Sequence, residues 1–154
     1  MNNKSKKIDL KIKLKRFWAL TKPNVTALVL VATFIGFKMA MRQQGESIFD
    51  HGLLLFNVLL GSAFVSGGVG TLNEYLERNY DSLMHRTQSR PLPSGILSPR
   101  KALVFGIGIS FFGMIYLYMT VNLLTSFLSL LTLSFYLFVY TPLKRKTVWN
   151  LFFG

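Results

Sequence analysis

Four stretches of this chain run apolar for a helix's length with little polar relief: about Val25 to Met41, Leu53 to Leu72, Ala102 to Tyr118 and Leu123 to Tyr140. Each is close to the roughly 20 residues that cross a hydrocarbon core of about 30 Å. A helix in water keeps a polar stripe along one face, and these segments are apolar nearly all round. The first carries one charge, Lys38, near enough to its end to reach the interface, and the other three carry none. A fifth apolar run begins at Val148. The pattern predicts an all-α fold, a polytopic transmembrane helical bundle of four complete spans plus the start of a fifth. The connection around Thr120 to Asn122 is so short that spans three and four must form an antiparallel hairpin.

Charge adds direction to this picture. The 154 residues hold 18 Lys and Arg against 6 Asp and Glu, a net charge of +12. All of the basic residues except Lys38 and Arg42 lie before span one, between spans two and three, or after span four. By the positive-inside rule those three segments, and hence the N-terminus, face the cytoplasm. A nucleic-acid partner is excluded, because its basic patch would have to cover one soluble face, whereas here the charges bracket the spans. Residues 1–23 are read as a basic cytoplasmic segment and 24–154 as transmembrane domain. Lys6 to Phe17 alternates Ile8, Leu10, Ile12 and Leu14 with mostly Lys. That period suits a strand, but beside a membrane an interfacial anchor on anionic lipid is expected. With no Cys, disulfides and thiolate metal sites are excluded. No Asp or Glu lies in any span, which argues against an ion-coupled transporter.

The candidate chemistry lies in Asn73 to Gly95, NEYLERNYDSLMHRTQSRPLPSG. The segment leaves span two as a helix, with no breaker before Pro91. Asn73, Glu77 and Asp81 stand at i, i+4 and i+8 and share one face. Two carboxylates so spaced repel, more strongly near hydrocarbon, so something positive belongs between them: a divalent metal, a neighbouring Arg, or only solvent. In an ordinary polar turn, Glu74 would pair with Arg78 and Asp81 with His85. Mg²⁺ takes one or two carboxylates and completes its octahedron with water and phosphate, and these residues supply such an incomplete site. Arg86 and Arg90 carry forked guanidinium groups suited to phosphate oxygens, and Lys144, Arg145 and Lys146 lie on the same side. Metal and cations at one membrane mouth point to a diphosphate whose apolar tail lies between the helices.

The same stretch, N-x-x-x-E-R-x-x-D-x-x-M-x-R-T-x-x-R-P-L-P-S-G, resembles the first aspartate-rich motif of the UbiA superfamily of intramembrane prenyltransferases. Its Arg86-Thr87 and Arg90-Pro91-Leu92 portion is similar to the heme-farnesylating branch. Leu20-Thr21-Lys22-Pro23 and Tyr140-Thr141-Pro142-Leu143-Lys144-Arg145, with Thr147 and Asn150, agree with it. The resemblance implies about nine spans around a cavity open to the cytoplasm, in a bacterial inner membrane or its equivalent. It implies Mg²⁺-dependent transfer of a farnesyl group from farnesyl diphosphate to a vinyl group of heme b, and a link to terminal oxidase assembly. Another acceptor, a quinone precursor or chlorophyllide, is the alternative on the same fold. On this reading Asn73, Glu77 and Asp81 serve catalysis by holding the metal, while Arg86, Arg90, Lys144 and Lys22 bind the diphosphate.

Two departures from the family pattern stand out. Glu77 occupies a position usually held by Asp, and the second acidic motif, which falls later in the family, is not in these residues. The resemblance therefore covers the N-terminal half of a family protein, and an inactive remnant is a further alternative. His51 and His85 are expected at the surface. Tyr116, Tyr118, Tyr136 and Tyr140 are expected in an interfacial aromatic belt, and Gly61, Gly67, Gly68 and Gly70 to permit close helix packing.

Overall fold

The computed structural model describes residues 14–85 and 87–146, with side chains as far as Leu143. Four of its helices are long and apolar enough to cross a membrane, Pro23–Gln44, Ile48–Asp81, Pro99–Thr120 and Leu123–Leu143. A short helix α1, residues 14–20, precedes them. The first span is α2, Pro23–Gln44. A single 3₁₀ turn, Ile48–His51, leads into α3, Gly52–Asp81. The third span is α4, Pro99–Thr120. The fourth begins as α5, Leu123–Ser134, widens into a π-helical stretch over Phe135–Tyr140, and continues as α6, Thr141–Lys146. The fifth run at Val148 and most of the basic N-terminal tract lie outside the described residues.

Local chemistry explains the helix ends. Pro occupies the first turn of both α2 and α4, where its missing N–H costs nothing and its fixed φ suits the helix. Gly45 ends α2 in the left-handed conformation at φ 74°, a backbone state that glycine adopts freely. The Asn122 side chain accepts the Thr125 N–H at 2.7 Å and starts α5. The tight link at residues 121–122 makes α4 and α5 the antiparallel hairpin that its length requires.

The bundle is held by small residues rather than by interdigitated large ones. Helix α3 packs chiefly on α4 and then on α2. A Cβ at Gly113 would stand 2.8 Å from the Phe64 Cβ and 2.9 Å from the Val65 amide nitrogen. One at Gly68 would stand 2.9 Å from the Gly106 carbonyl oxygen. Backbones therefore approach closely along this seam, as expected where lipid tails remove the hydrophobic drive between helices. Ser126 adds a hydroxyl bond to the Met114 carbonyl across α4 and α5, at 2.8 Å. Large side chains such as Leu28, Val104 and Phe138 are 70%, 71% and 75% exposed and give the bundle an apolar outer surface.

At 30 residues, α3 is about 45 Å long and overshoots a core of about 30 Å. Its last turns, Asn73 to Asp81, thus stand at the membrane boundary. The helix stops at Asp81 rather than running on toward Pro91 as the sequence suggests. The Thr87 hydroxyl donates to the Asp81 carbonyl at 2.9 Å, so the chain folds back over the helix end in a series of turns. Among the buried residues, Leu20, Leu92, Leu97 and Ala102 form one cluster, with Phe17 and Tyr75 against it. That cluster ties α1 and the 82–98 connection to the same end of the bundle.

Candidate functional site

The shared face of α3 survives folding intact. Asn73, Glu77 and Asp81 are 3%, 9% and 5% exposed, so three oxygen-bearing side chains are withdrawn from water along two turns. Positive charge comes to them from both flanking segments. The Lys22 ammonium donates to Asn73 Oδ1 at 3.2 Å, and Arg90 Nη1 pairs with Asp81 Oδ2 at 2.7 Å. Among the described residues Glu77 has no hydrogen-bond or ion-pair partner. The expected local pairs do not form. Arg78 donates instead to the Tyr75 carbonyl at 2.7 Å and lies 4.4 Å over the Tyr75 ring, while His85 approaches Gln88.

Lys22 reaches this face because of its backbone. It is the only non-glycine residue with positive φ among the described residues, at φ 48°, a conformation costing about 1–2 kcal/mol for a residue with a Cβ. The following Pro23 biases it away from the right-handed helical region. Helix α1 therefore closes, with Lys22 N–H on the Ala19 carbonyl, before α2 opens with Val25 N–H on the Lys22 carbonyl. The corner seats against α3 at Gly70, where a Cβ would come within 3.1 Å of the Thr21 carbonyl oxygen. Burial pushes the Lys22 ammonium below its usual pKa of 10.5, and Arg90 adds to the fall, while Glu77, Glu74 and Asp81 oppose it. Strain and partial burial of a cation coincide at one residue, the pattern found where a site over-determines its geometry.

Beside this acidic face a cavity of about 430 Å³ runs between α2, α3 and α5. Lys22 belongs to its wall, followed along α2 by Val25, Val29 and Ala32. Val65, Val69, Leu128 and Leu133 close the other sides. Several of its hydroxyls are engaged with protein: Thr33 bonds the Val29 carbonyl and Thr132 the Leu128 carbonyl, each at 2.8 Å, and Thr26 meets Ser66 across α2 and α3 at 3.2 Å. What remains facing the space is largely hydrocarbon, of a volume ordinary for a small-molecule site.

The structure thus brings Asn73, Glu77, Asp81, Arg90 and Lys22 to one end of the bundle. Arg86 and the Lys144 side chain lie outside the described residues; the Lys144 backbone belongs to α6. The donor set has the chemistry that Mg²⁺ prefers, hard oxygens that include two carboxylates. Glu77 is unengaged among the described residues, one of the two Asp81 oxygens takes the Arg90 N–H, and the single side-chain oxygen of Asn73 accepts from Lys22. Three residues read otherwise from sequence are half-buried or buried in the bundle. Tyr116 donates to Asn57 Oδ1 at 2.8 Å inside the bundle, and Tyr136 lines the cavity, stacked 5.1 Å from Tyr140. The buried Glu74 is the third such residue. His51 pairs with Glu46 at 2.7 Å in the 45–51 connection, a surface role.

Four membrane-length helices thus carry an acidic helix end met by two cations, beside an apolar cavity. The UbiA prenyltransferase family matches residues 29–154, and the chain belongs to that family as an integral membrane protein. It is 39% identical over 141 residues to a protein named protoheme IX farnesyltransferase from Solibacter usitatus, covering 89% of this chain and 48% of that one. Proteins of the same name from Salinibacter ruber and Streptomyces avermitilis are 44% and 41% identical. Those matches cover 88% and 92% of this chain, and 46% and 45% of the relatives. The chain thus spans about half the length of the curated relatives it matches. No solved structure matches it.

Proposed function

We propose that this chain provides the donor-binding end of an intramembrane prenyltransferase that moves a farnesyl group from farnesyl diphosphate to a vinyl group of heme b. The observation that carries the reading is the double position of Lys22, which lines the apolar cavity and bonds Asn73 on the acidic face. A ligand with an anionic head at Lys22 would have its tail in the cavity. The names of the curated relatives support the choice of farnesyl donor and heme acceptor.

The cations keep capacity for phosphate. Arg has five N–H donors and Lys three, and the ion pair and the Asn73 bond occupy one of each. Arg90 and Lys22, with Arg86 and Lys144 on the same side, would hold the diphosphate and offset the charge it gains as the allylic C–O bond breaks. Asn73, Glu77 and Asp81 would hold Mg²⁺, which when bound supplies Lewis-acid neutralisation of the leaving group. The cavity wall keeps water from the allylic carbon until the acceptor's electrons reach it. The site would open to the cytoplasmic face of a bacterial inner membrane, following the basic residues, and the heme product would serve terminal oxidase assembly.

The test uses full-length protein in lipid nanodiscs, with heme b and, separately, an aromatic acid as acceptor. Asp81→Ala and Arg90→Ala should each lower farnesyl transfer to heme b by about 100-fold or more. Transfer unchanged by both would overturn the site, and consumption of the aromatic acid instead of heme b would redirect the acceptor.

A further inference from the structure

Glu74 is among the most buried side chains of the protein, at 2% exposure, and, one helical turn before Glu77 and two before Asp81, it stands on their side of α3. Its Oε1 accepts the Leu92 N–H at 3.4 Å across the connection between α3 and α4. That amide has a particular need of a partner. Pro91 and Pro93 flank it and have no N–H of their own, so Leu92 supplies the sole amide hydrogen of residues 91–93. Its side chain is 5% exposed within the Leu20, Leu97 and Ala102 cluster, where an unpaired N–H is costly. The neighbouring amides of the connection are provided for within it: Arg90 N–H on the Thr87 carbonyl, Ser94 on Arg90, Gly95 on Leu92 and Leu97 on Pro91. Among the described residues of the connection, Leu92 is the one whose amide looks to a side chain of α3.

Arg90 is two residues from that tie, and its guanidinium completes the second attachment of the same turn to α3, at Asp81. Glu74 and Asp81 are seven positions apart, two helical turns. Two attachments restrain the turn against rotation about either one, and with it the direction of the Arg90 guanidinium.

We propose that Glu74 is a positioning residue of the diphosphate site, acting as the acceptor that holds the Arg90 turn on α3 through the Leu92 amide. The role rests on the donor-binding reading above and extends it to a residue outside the ligand set. An acceptor oxygen is what the role needs, so glutamine should serve where leucine cannot.

The experiment compares full-length parent, Glu74→Gln and Glu74→Leu in nanodiscs. It measures hydrogen exchange of the peptide holding residues 91–93, KM for farnesyl diphosphate and KM for the acceptor. Glu74→Leu should speed exchange at Leu92 and raise the farnesyl diphosphate KM, each by about tenfold or more, with the acceptor KM unchanged. Glu74→Gln should restore both. Parent-like exchange and KM in Glu74→Leu would overturn the proposal, as would a glutamine variant as impaired as the leucine one. A parent that does not bind farnesyl diphosphate would overturn the donor-binding reading, and the exchange data would still decide whether Glu74 holds the turn.

Discussion

Lys22 and Asn73 are 51 residues apart in sequence and joined by a 3.2 Å hydrogen bond that connects the corner before the first span to the end of the second. From an ammonium the bond is charge-assisted. Burial has lowered the Lys22 pKa from 10.5, so the folded protein loses that proton at a lower pH than the unfolded chain. Between the two values the unfolded state binds more protons, and this group makes stability rise with pH. Diphosphate binding has the opposite sign, because it needs the charged form. Farnesyl diphosphate affinity should therefore fall as pH rises through the lowered pKa. Lys22→Arg should flatten that alkaline limb, since guanidinium stays charged; a pH profile of the dissociation constant checks both.

Asp81 and Arg90 should behave as a coupled pair. Asp81 is nearly buried in this contact, so Arg90→Ala leaves a carboxylate without its partner. Each single alanine variant should lower stability, and the double variant should cost less than the sum, with a coupling of about 1–3 kcal/mol. Thermal unfolding in one detergent across the four proteins measures it.

Helix α4 contains a built-in comparison for close packing. Gly113→Ala drives a methyl group against the Phe64 Cβ and Val65 backbone and should cost about 1–3 kcal/mol. Gly108→Ala meets nothing within 4 Å and should be neutral or slightly stabilising. Melting temperatures of the two variants provide the check.

The cavity should measure the donor's tail. Ala32 lines it ten residues beyond Lys22, about 15 Å along the helix axis. Ala32→Phe should reduce kcat/KM for farnesyl diphosphate by about tenfold or more through steric loss, and reduce it less for the shorter geranyl diphosphate. Steady-state kinetics with both donors distinguishes this from general damage.

Much of this arrangement is legible before folding, because the information is local. The four spans follow from runs of apolar residues, and the common face of Asn73, Glu77 and Asp81 follows from helical spacing alone. The glycines of α3 likewise do what small residues do between membrane helices. What periodicity does not contain is which cation meets which acid. Asp81 finds Arg90 rather than His85, since the helix stops at Asp81 and the turn brings Arg90 back. Glu74 finds an amide flanked by prolines, a need visible in Pro91-Leu92-Pro93 only once the turn is known to be buried. Tyr136 faces the cavity in a π-helical stretch, whose altered register redirects side chains and which the apolar run does not announce.

In the proposed complex a prenyl diphosphate lies with its head at Lys22 and its tail between α2, α3 and α5. Photocrosslinking of full-length protein with a farnesyl diphosphate analogue, photoreactive at the tail end, tests it most directly. Adducts are expected on cavity residues of these helices, such as Val29, Ala32 or Leu133, and should be lost in the presence of excess farnesyl diphosphate. Adducts confined to the lipid-facing surface, or undiminished by the competitor, would contradict this placement.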